Sequence, residues 1–268
     1  MDMNPITPHA HYIEAVTVCV GCHDFLDVVA PFNIPHIDRW IIVTEEKDLQ
    51  TREVCRKYGL ECLLSDDAKY HNGDGFNKGR LVERGLQHTS AGGWRLHIDS
   101  DIVLPVHFRY LLQRASLQED TIYGVDRIMV KTYDDWLRLL STGYLKGGQY
   151  GYSHAIHFPP GFTLGTRWAG ATTGYVPIGF FQLWHSTQDE WRGMRIKPYP
   201  IRHGDACRSD VQHGLQWDRS KREILPEVVV VHLESELTAK GANWNGRITK
   251  RFGPPGPADE TYAKSVGS

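Results

Sequence analysis

Two aspartates one residue apart, Asp99-Ser100-Asp101, carry the strongest chemical signal in the chain. Before them Leu96 and Ile98 alternate with polar neighbours as a half-buried strand does, and after them Ile102, Val103 and Leu104 resume an apolar run. Side chains two apart on extended backbone point to the same side, so both carboxylates can reach one hard cation. Mg²⁺ or Mn²⁺ is commonly held by one or two carboxylates, with substrate phosphates completing the shell. The spacing therefore points to a metal and a diphosphate; a solvated Asp-Ser turn is the plainer alternative.

The first half of the chain alternates two periodicities that would place this pair. Strands are predicted at 15–20, 39–44, 59–64 and 94–98, and helical segments at 24–31, 47–58 and 77–89. That rhythm argues a parallel sheet with covering helices, in which ligands bind beyond the carboxyl ends of the strands. Gly21 to His23, Thr44 to Glu46, Ser65 to Asp67 and Asp99 to Asp101 should then line one rim. Glu45 and Asp66 become candidate nucleotide contacts, Asp66 suiting a uracil imide. Just before the fourth strand, Asn77 is a good N-cap, and Lys78 and Arg80 fall in the first helical turn that follows. Cations are unfavourable there unless an anion compensates, so all three are expected to face phosphate. A solvated turn with incidental basic residues is the alternative.

The second half is less regular. A helix is predicted at 105–117 and a strand at 121–130, and Thr132-Tyr133-Asp134-Asp135 has capping-box-like spacing ahead of Trp136, Leu137 and Leu140. Residues 141–177 are rich in glycine and aromatics with little period, as binding loops are. Tyr150 and Trp168 there, and Trp184 in the apolar strand 178–184, are candidate acceptor contacts. Asp205 and Asp210 open a helix-like run to Trp217, and the strand 227–231 ends at His232.

At 268 residues, 41% hydrophobic and 23% charged, the composition is that of an ordinary globular protein. The expected organisation is an arm at 1–14, one domain at 15–235 with a nucleotide-binding half (15–105) and an acceptor half (106–235), and a basic Gly/Pro-rich tail at 236–268. The N-terminus shows no signal-peptide pattern and no apolar run is long enough to span a bilayer, so a cytoplasmic protein with no membrane partner is expected. A net charge of −2 gives no global polyanion signal. Contact with DNA would rest on local clusters, Arg219, Lys221 and Arg222, and Arg247, Lys250 and Arg251. Five cysteines, an odd number, fit reduced thiols. Cys19-Val20-Gly21-Cys22-His23 matches both a c-type haem attachment pattern and a redox Cys-x-x-Cys, but buried strand-end thiols fit a chain of this kind better.

The strand-helix alternation, Asn77-Lys78-Gly79 opening a helix, and the strand ending in Asp99-Ser100-Asp101 together resemble the GT-A fold glycosyltransferases over roughly 15–235. The resemblance implies an α/β fold, a mostly parallel twisted sheet flanked by helices in a single domain. It also implies a nucleotide-sugar donor, with a UDP-sugar expected, and a Mn²⁺ or Mg²⁺ cofactor. By the same likeness Asp99 contacts ribose and metal, Asp101 is the direct metal ligand and His232 completes the shell. In inverting members an acidic residue opening a late helix is the general base. Asp210 matches it, in Ser-Asp where relatives often carry Glu-Asp, with Asp205 in reserve. In the tail, Asn243, Trp244 and Arg247 are placed over the diphosphate and Lys250 and Arg251 toward the acceptor; a solvated arm is the alternative.

A looser likeness, in HLES followed by GANWNGR, is to phage and bacterial enzymes related to the base J-associated glucosyltransferases that modify hydroxymethylated pyrimidines in DNA. The acceptor thus stays open between hydroxymethylated DNA and a saccharide, with a protein as a third choice. Two other classes are weighed beside glycosyl transfer. Nucleotidyl transfer would want a Gly-rich basic stretch after the first strand, where CVGCHDF stands. A silent carbohydrate or nucleic-acid binding module has no need of the intact acidic pair.

Overall fold

Every residue of β1 (Ile13–Val18) is buried, as in a strand covered on both faces. In the computed structural model, which describes residues 11–68, 76–146, 159–202, 206–233 and 251–253, this strand lies inside a nine-stranded sheet. After it come α1 (His23–Asn33), β2 (Arg39–Thr44), α2 (Leu49–Tyr58), β3 (Glu61–Leu64), α3 (Lys78–Leu86) and β4 (Trp94–Ile98). β1 pairs in parallel with β2 and with β4, and β2 with β3, so the four carboxyl ends lie along one edge as the alternation predicts. Helix α2 stops where it does because Gly59 takes the left-handed conformation (φ 66°) that closes a helix end, and its N–H returns to the Cys55 carbonyl.

The chain continues with β5 (Ile102–Val103), α4 (Phe108–Arg114), β6 (Ile122–Val130), α5 (Tyr133–Ser141), β7 (Thr163–Leu164), β8 (Ala169–Gly170), β9 (Gly174–Tyr175), β10 (Phe181–His185), β11 (Glu190–Trp191), β12 (Met194–Arg195), α6 (Ala206–Gly214) and β13 (Arg222–Leu233). The order across the sheet is β3-β2-β1-β4-β10-β6-β13-β5, with β7 alongside β6. β10 runs antiparallel between β4 and β6, β13 is parallel to β6, and β5 is antiparallel to β13. This is the expected α/β class, a mixed and mostly parallel sheet flanked by helices. Strand direction reverses beside β4, immediately after which the acidic pair falls, and such reversals are where α/β sheets bind ligands.

Several expected strands shift: β1 spans Ile13–Val18 against 15–20, and β3 spans Glu61–Leu64 against 59–64. The apolar run from Ile178 begins pairing only at Phe181. β13 is far longer than 227–231, because pairing with β6 resumes upstream of an irregularity between Ile224 and Val229. Pro226, which cannot donate to a ladder, sits within that irregularity.

Trp184 is fully buried, its ring 4.8 Å from that of His213 and its indole N–H donating to Asp189 at 2.8 Å. Its placement among acceptor contacts is therefore corrected: it offers an incoming molecule no surface. The apolar run around it is core and not a platform. His213 in the same cluster stacks on Tyr199 at 4.4 Å, and burial, then Arg195 and Lys197, bring its pKa down to about 3. His97 on β4 is lowered well below the ordinary value by burial and by Lys78.

Both histidines fold neutral and would take up protons only when unfolded. Their stabilising contribution is full above the unfolded value near 6.5 and falls as pH drops below it. The slope is about 1.4 kcal/mol per pH unit for each. Urea unfolding at pH 7.5 and 5.0 should show this loss, and His213→Gln should flatten it. A slope unchanged in that variant would mean His213 is not the group responsible.

Cys19, Cys22, Cys55 and Cys62 are free thiols. Burial pushes the Cys19 thiol well up, and its Sγ lies 3.6 Å from the Thr51 hydroxyl. A protonated, enclosed thiol is a poor nucleophile, in keeping with the strand-end reading. No helix among the described residues is long and apolar enough to cross a membrane. Of the tail, Phe252 is buried, its ring 5.0 Å from Phe25 and 5.5 Å from Tyr133 while its N–H donates to the Asp24 carboxylate. At Phe252 the chain thus lies against the first turn of α1, beside the rim.

Candidate active site at the carboxyl ends of the strands

Asp99 directly follows β4 and Asp101 directly precedes β5, so the acidic pair occupies a tight turn in which the Ile102 N–H reaches the Asp99 carbonyl at 3.3 Å. Asn33, buried at the end of α1, fixes that turn from below. Its amide donates to the Ile102 carbonyl at 2.7 Å and accepts from the Leu104 N–H at 2.8 Å. From the other side β13 pairs with β5, setting His232 opposite Ile102, and the Leu233 N–H donates to the Asp101 carbonyl at 2.8 Å. Sheet register, not sequence proximity, thus brings His232 Nε2 to 3.3 Å from Asp101 Oδ2.

The two aspartates have different partners. Asp101 Oδ1 is buried with no hydrogen-bond partner among the described residues. Burial works against the charge of this carboxyl, but His232 and Lys78 outweigh it and hold it below the ordinary range. Asp99 instead takes the Lys78 ammonium at 2.6 Å. Burial, with the like charges of Asp101 and Asp210, pushes its carboxyl up to about 6 against the pull of that lysine. Among the described residues no three His, Cys, Asp or Glu side chains stand together as a metal cage; of the expected ligands Asp99, Asp101 and His232, the last two are in direct contact. An open carboxylate oxygen beside an imidazole fits a hard cation that keeps several of its positions for water and substrate oxygens.

Lys78 is the hub of what lies beneath. It is buried at the start of α3 and also reaches Asp210 Oδ2 at 3.0 Å, and the two carboxylates hold it charged despite its burial. Asp210 accepts from the Tyr199 hydroxyl at 2.5 Å on its other oxygen. A Cβ added at Gly179 would lie 1.7 Å from the Asp210 carboxylate, so only glycine allows that close approach. The structure thus places Asp210, the expected general base, at the floor of the site, 6% exposed and held on both oxygens.

The cations opening α3 are likewise met by carboxylates. Arg80 pairs with Asp67 at 2.9 Å, and Arg84 reaches the same side chain at 3.1 Å. Asn77 is spent as the N-cap, accepting from the Arg80 N–H at 3.2 Å. These are the partners that the structure gives Asn77, Lys78 and Arg80, the expected donor contacts. Asp66 is exposed at the end of β3, and Glu45 is buried at the end of β2, with Lys47 3.0 Å away. Trp168 is 39% exposed and Arg251 is exposed. Tyr150, Asp205, Asn243, Trp244, Arg247 and Lys250 lie outside the described residues.

Three residues of the site escape the sequence reading. His97 points the same way as Asp99 by strand alternation; its Nδ1 meets the Val16 carbonyl at 3.2 Å, and its Nε2 lies 3.6 Å from Asp99 and 3.9 Å from Asp210. The i, i+2 spacing from Asp99 was the available signal. Gln182 on β10 donates to the Asp210 carbonyl at 2.9 Å. Tyr199 comes from an irregular segment with no periodicity to flag it.

No family model matches the chain, and no curated protein does. Among solved structures, glucosyl-3-phosphoglycerate synthase from Mycobacterium tuberculosis, in complex with Mn²⁺, UDP and glucosyl-3-phosphoglycerate, is similar at 13% identity and a TM-score of 0.43, covering 99% of this chain and 83% of that one. Mannosyl-3-phosphoglycerate synthase from Rubrobacter xylanophilus is similar at 19% identity and a TM-score of 0.35, over 46% of this chain and 42% of that one. Likeness at this level is too distant to assign any residue a role.

Proposed function

We propose that the protein is a metal-dependent glycosyltransferase of the GT-A type, using a nucleotide-sugar, with a UDP-sugar the first choice. The observation that carries this reading is the rim turn itself: an acidic pair at the carboxyl end of β4, where strand direction reverses, with His232 brought to Asp101 by the pairing of β13 with β5. Asp101 and His232 would hold Mn²⁺ or Mg²⁺, which neutralises the charge growing on the leaving diphosphate. In the transfer the bond from the anomeric carbon to the diphosphate oxygen breaks, the acceptor oxygen takes its place, and the hydroxyl proton and nucleoside diphosphate leave. Lys78 ties Asp99 and Asp210 together as a floor under the turn. Asn33 holds the turn's geometry from α1.

The test is a thermal-shift panel of nucleotide-sugars with and without Mn²⁺, followed by donor hydrolysis. A ligand that binds only the folded state raises the transition as its concentration passes Kd. One donor should do so, and only with metal. His232→Ala should weaken Mn²⁺ binding more than about tenfold, as losses around metal sites do. Unchanged Mn²⁺ affinity in that variant would return the imidazole to a packing role against Phe180, whose ring lies 6.1 Å away.

A further inference from the structure

The chain enters β10 through a β-turn, Ile178 to Phe181, closed by the Phe181 N–H on the Ile178 carbonyl at 3.2 Å. Its two central residues meet three parts of the site. Gly179 lies so close to the Asp210 carboxylate that no Cβ fits between them. The Phe180 carbonyl accepts from the Asp99 N–H at 3.2 Å, which ties down the start of the acidic turn. The Phe180 ring, 8% exposed, stacks on the His232 imidazole, with centroids 6.1 Å apart and an interplanar angle of 15°. On β6, whose Met129 stands opposite His232 in the sheet, Arg127 carries its guanidinium over the Phe180 ring at 4.4 Å.

Sheet register explains where the His232 backbone lies but not which way its ring faces. The pairing of β13 with β5 fixes backbone atoms only, and an imidazole still turns about two side-chain bonds, the outer one with a broad energy well. Its contact with Asp101 Oδ2 at 3.3 Å is longer than the usual hydrogen bond, too loose to set the ring plane alone. A flat, buried ring lying nearly parallel to the imidazole does set it. We propose that Phe180 is a positioning residue of the metal centre: its ring holds the His232 imidazole in the plane that turns Nε2 toward Asp101, and Arg127 braces that ring. This rests on the metal-dependent reading above and names the side chains that keep its histidine ligand in place. The electron-rich face of a phenyl ring also favours the positive charge that an imidazole takes on when it shares its lone pair with a cation. Partners one step removed from a metal commonly set the affinity of the ligand they orient.

The test is a Mn²⁺ titration of the full chain, read by the electron paramagnetic resonance of the free ion, on the parent and on Phe180→Leu, Phe180→Met, Phe180→Tyr, Arg127→Met and His232→Ala. The first two variants keep an apolar side chain and the Phe180 carbonyl, so a loss in them reads the ring alone. Each should weaken Mn²⁺ binding about tenfold. Phe180→Tyr, which keeps the ring, should bind as the parent does, and Arg127→Met, which removes only the brace, should lose about threefold. Phe180→Leu added to His232→Ala should cost nothing further, because the ring has no imidazole left to hold. A general loosening of the packing would instead weaken binding in both backgrounds. Urea unfolding of each variant confirms the folded state in which binding is compared. If the parent binds no Mn²⁺, or His232→Ala binds it as the parent does, the metal centre itself fails and the positioning role with it. If His232→Ala weakens binding while Phe180→Leu and Phe180→Met leave it unchanged, or if Phe180→Leu adds its full loss to His232→Ala, the metal centre stands and the positioning role is overturned.

Discussion

Asp101→Ala should lose metal-dependent turnover by a hundredfold or more, on the order of 3 kcal/mol in transition-state stabilisation, while unfolding close to the parent's midpoint. The asymmetry follows from what each oxygen does. Oδ1 has no hydrogen-bond partner among the described residues, so removing it strands nothing, and Oδ2 meets only His232 at 3.3 Å among the contacts that define the turn. The backbone links that shape the turn, Leu233 to the Asp101 carbonyl and Ile102 to the Asp99 carbonyl, survive the substitution. Activity and Mn²⁺ affinity should therefore fall together with little loss of stability. Parent-like Mn²⁺ binding and turnover in the variant would remove the metal from this turn.

How far the site could be read from sequence depends on which force sets each part. The βα alternation and the rim were legible because periodicity and strand polarity are local properties, and Asp99 and Asp101 stood out because one strand carries both. His232 could be named as a partner only through the family resemblance, since the pairing of β13 with β5 that delivers it joins residues far apart in sequence. What the sequence leaves open has a common cause. Lys78 and Arg80 were correctly seen to need an anion at the start of α3, but nothing local distinguishes phosphate from the carboxylates that tertiary packing supplies, Asp99 and Asp210 for one and Asp67 for the other. Trp184 looked like a platform because an aromatic residue reads the same in a core as at a surface. Asp210 stands out by its place near a helix start, whereas its surroundings are set by Tyr199 and Gly179, which no spacing connects to it.

Lys78→Met should be the most destabilising single change in the site, by about 3–5 kcal/mol near neutral pH, because it leaves the buried Asp210 and the half-buried Asp99 carboxylates without their shared cation. Lys78 itself is only 7% exposed, so water cannot substitute for it cheaply. Asp99 is already pushed up to about 6 with the ammonium in place, and without it Asp99 should rise further. A carboxyl whose folded pKa exceeds its unfolded one near 4 weakens the fold increasingly as pH rises through that window, and not at all once both states are protonated. The loss in Lys78→Met should accordingly be larger at pH 8 than at pH 5. Asp210→Asn added to Lys78→Met should recover part of it by removing one of the stranded charges, giving a coupling that a double-mutant cycle reads directly. Urea unfolding of the parent, both single variants and the double variant at the two pH values makes the measurement. A loss below about 1 kcal/mol, or one independent of pH, would mean that Lys78 is not the charge that holds the floor of the site together.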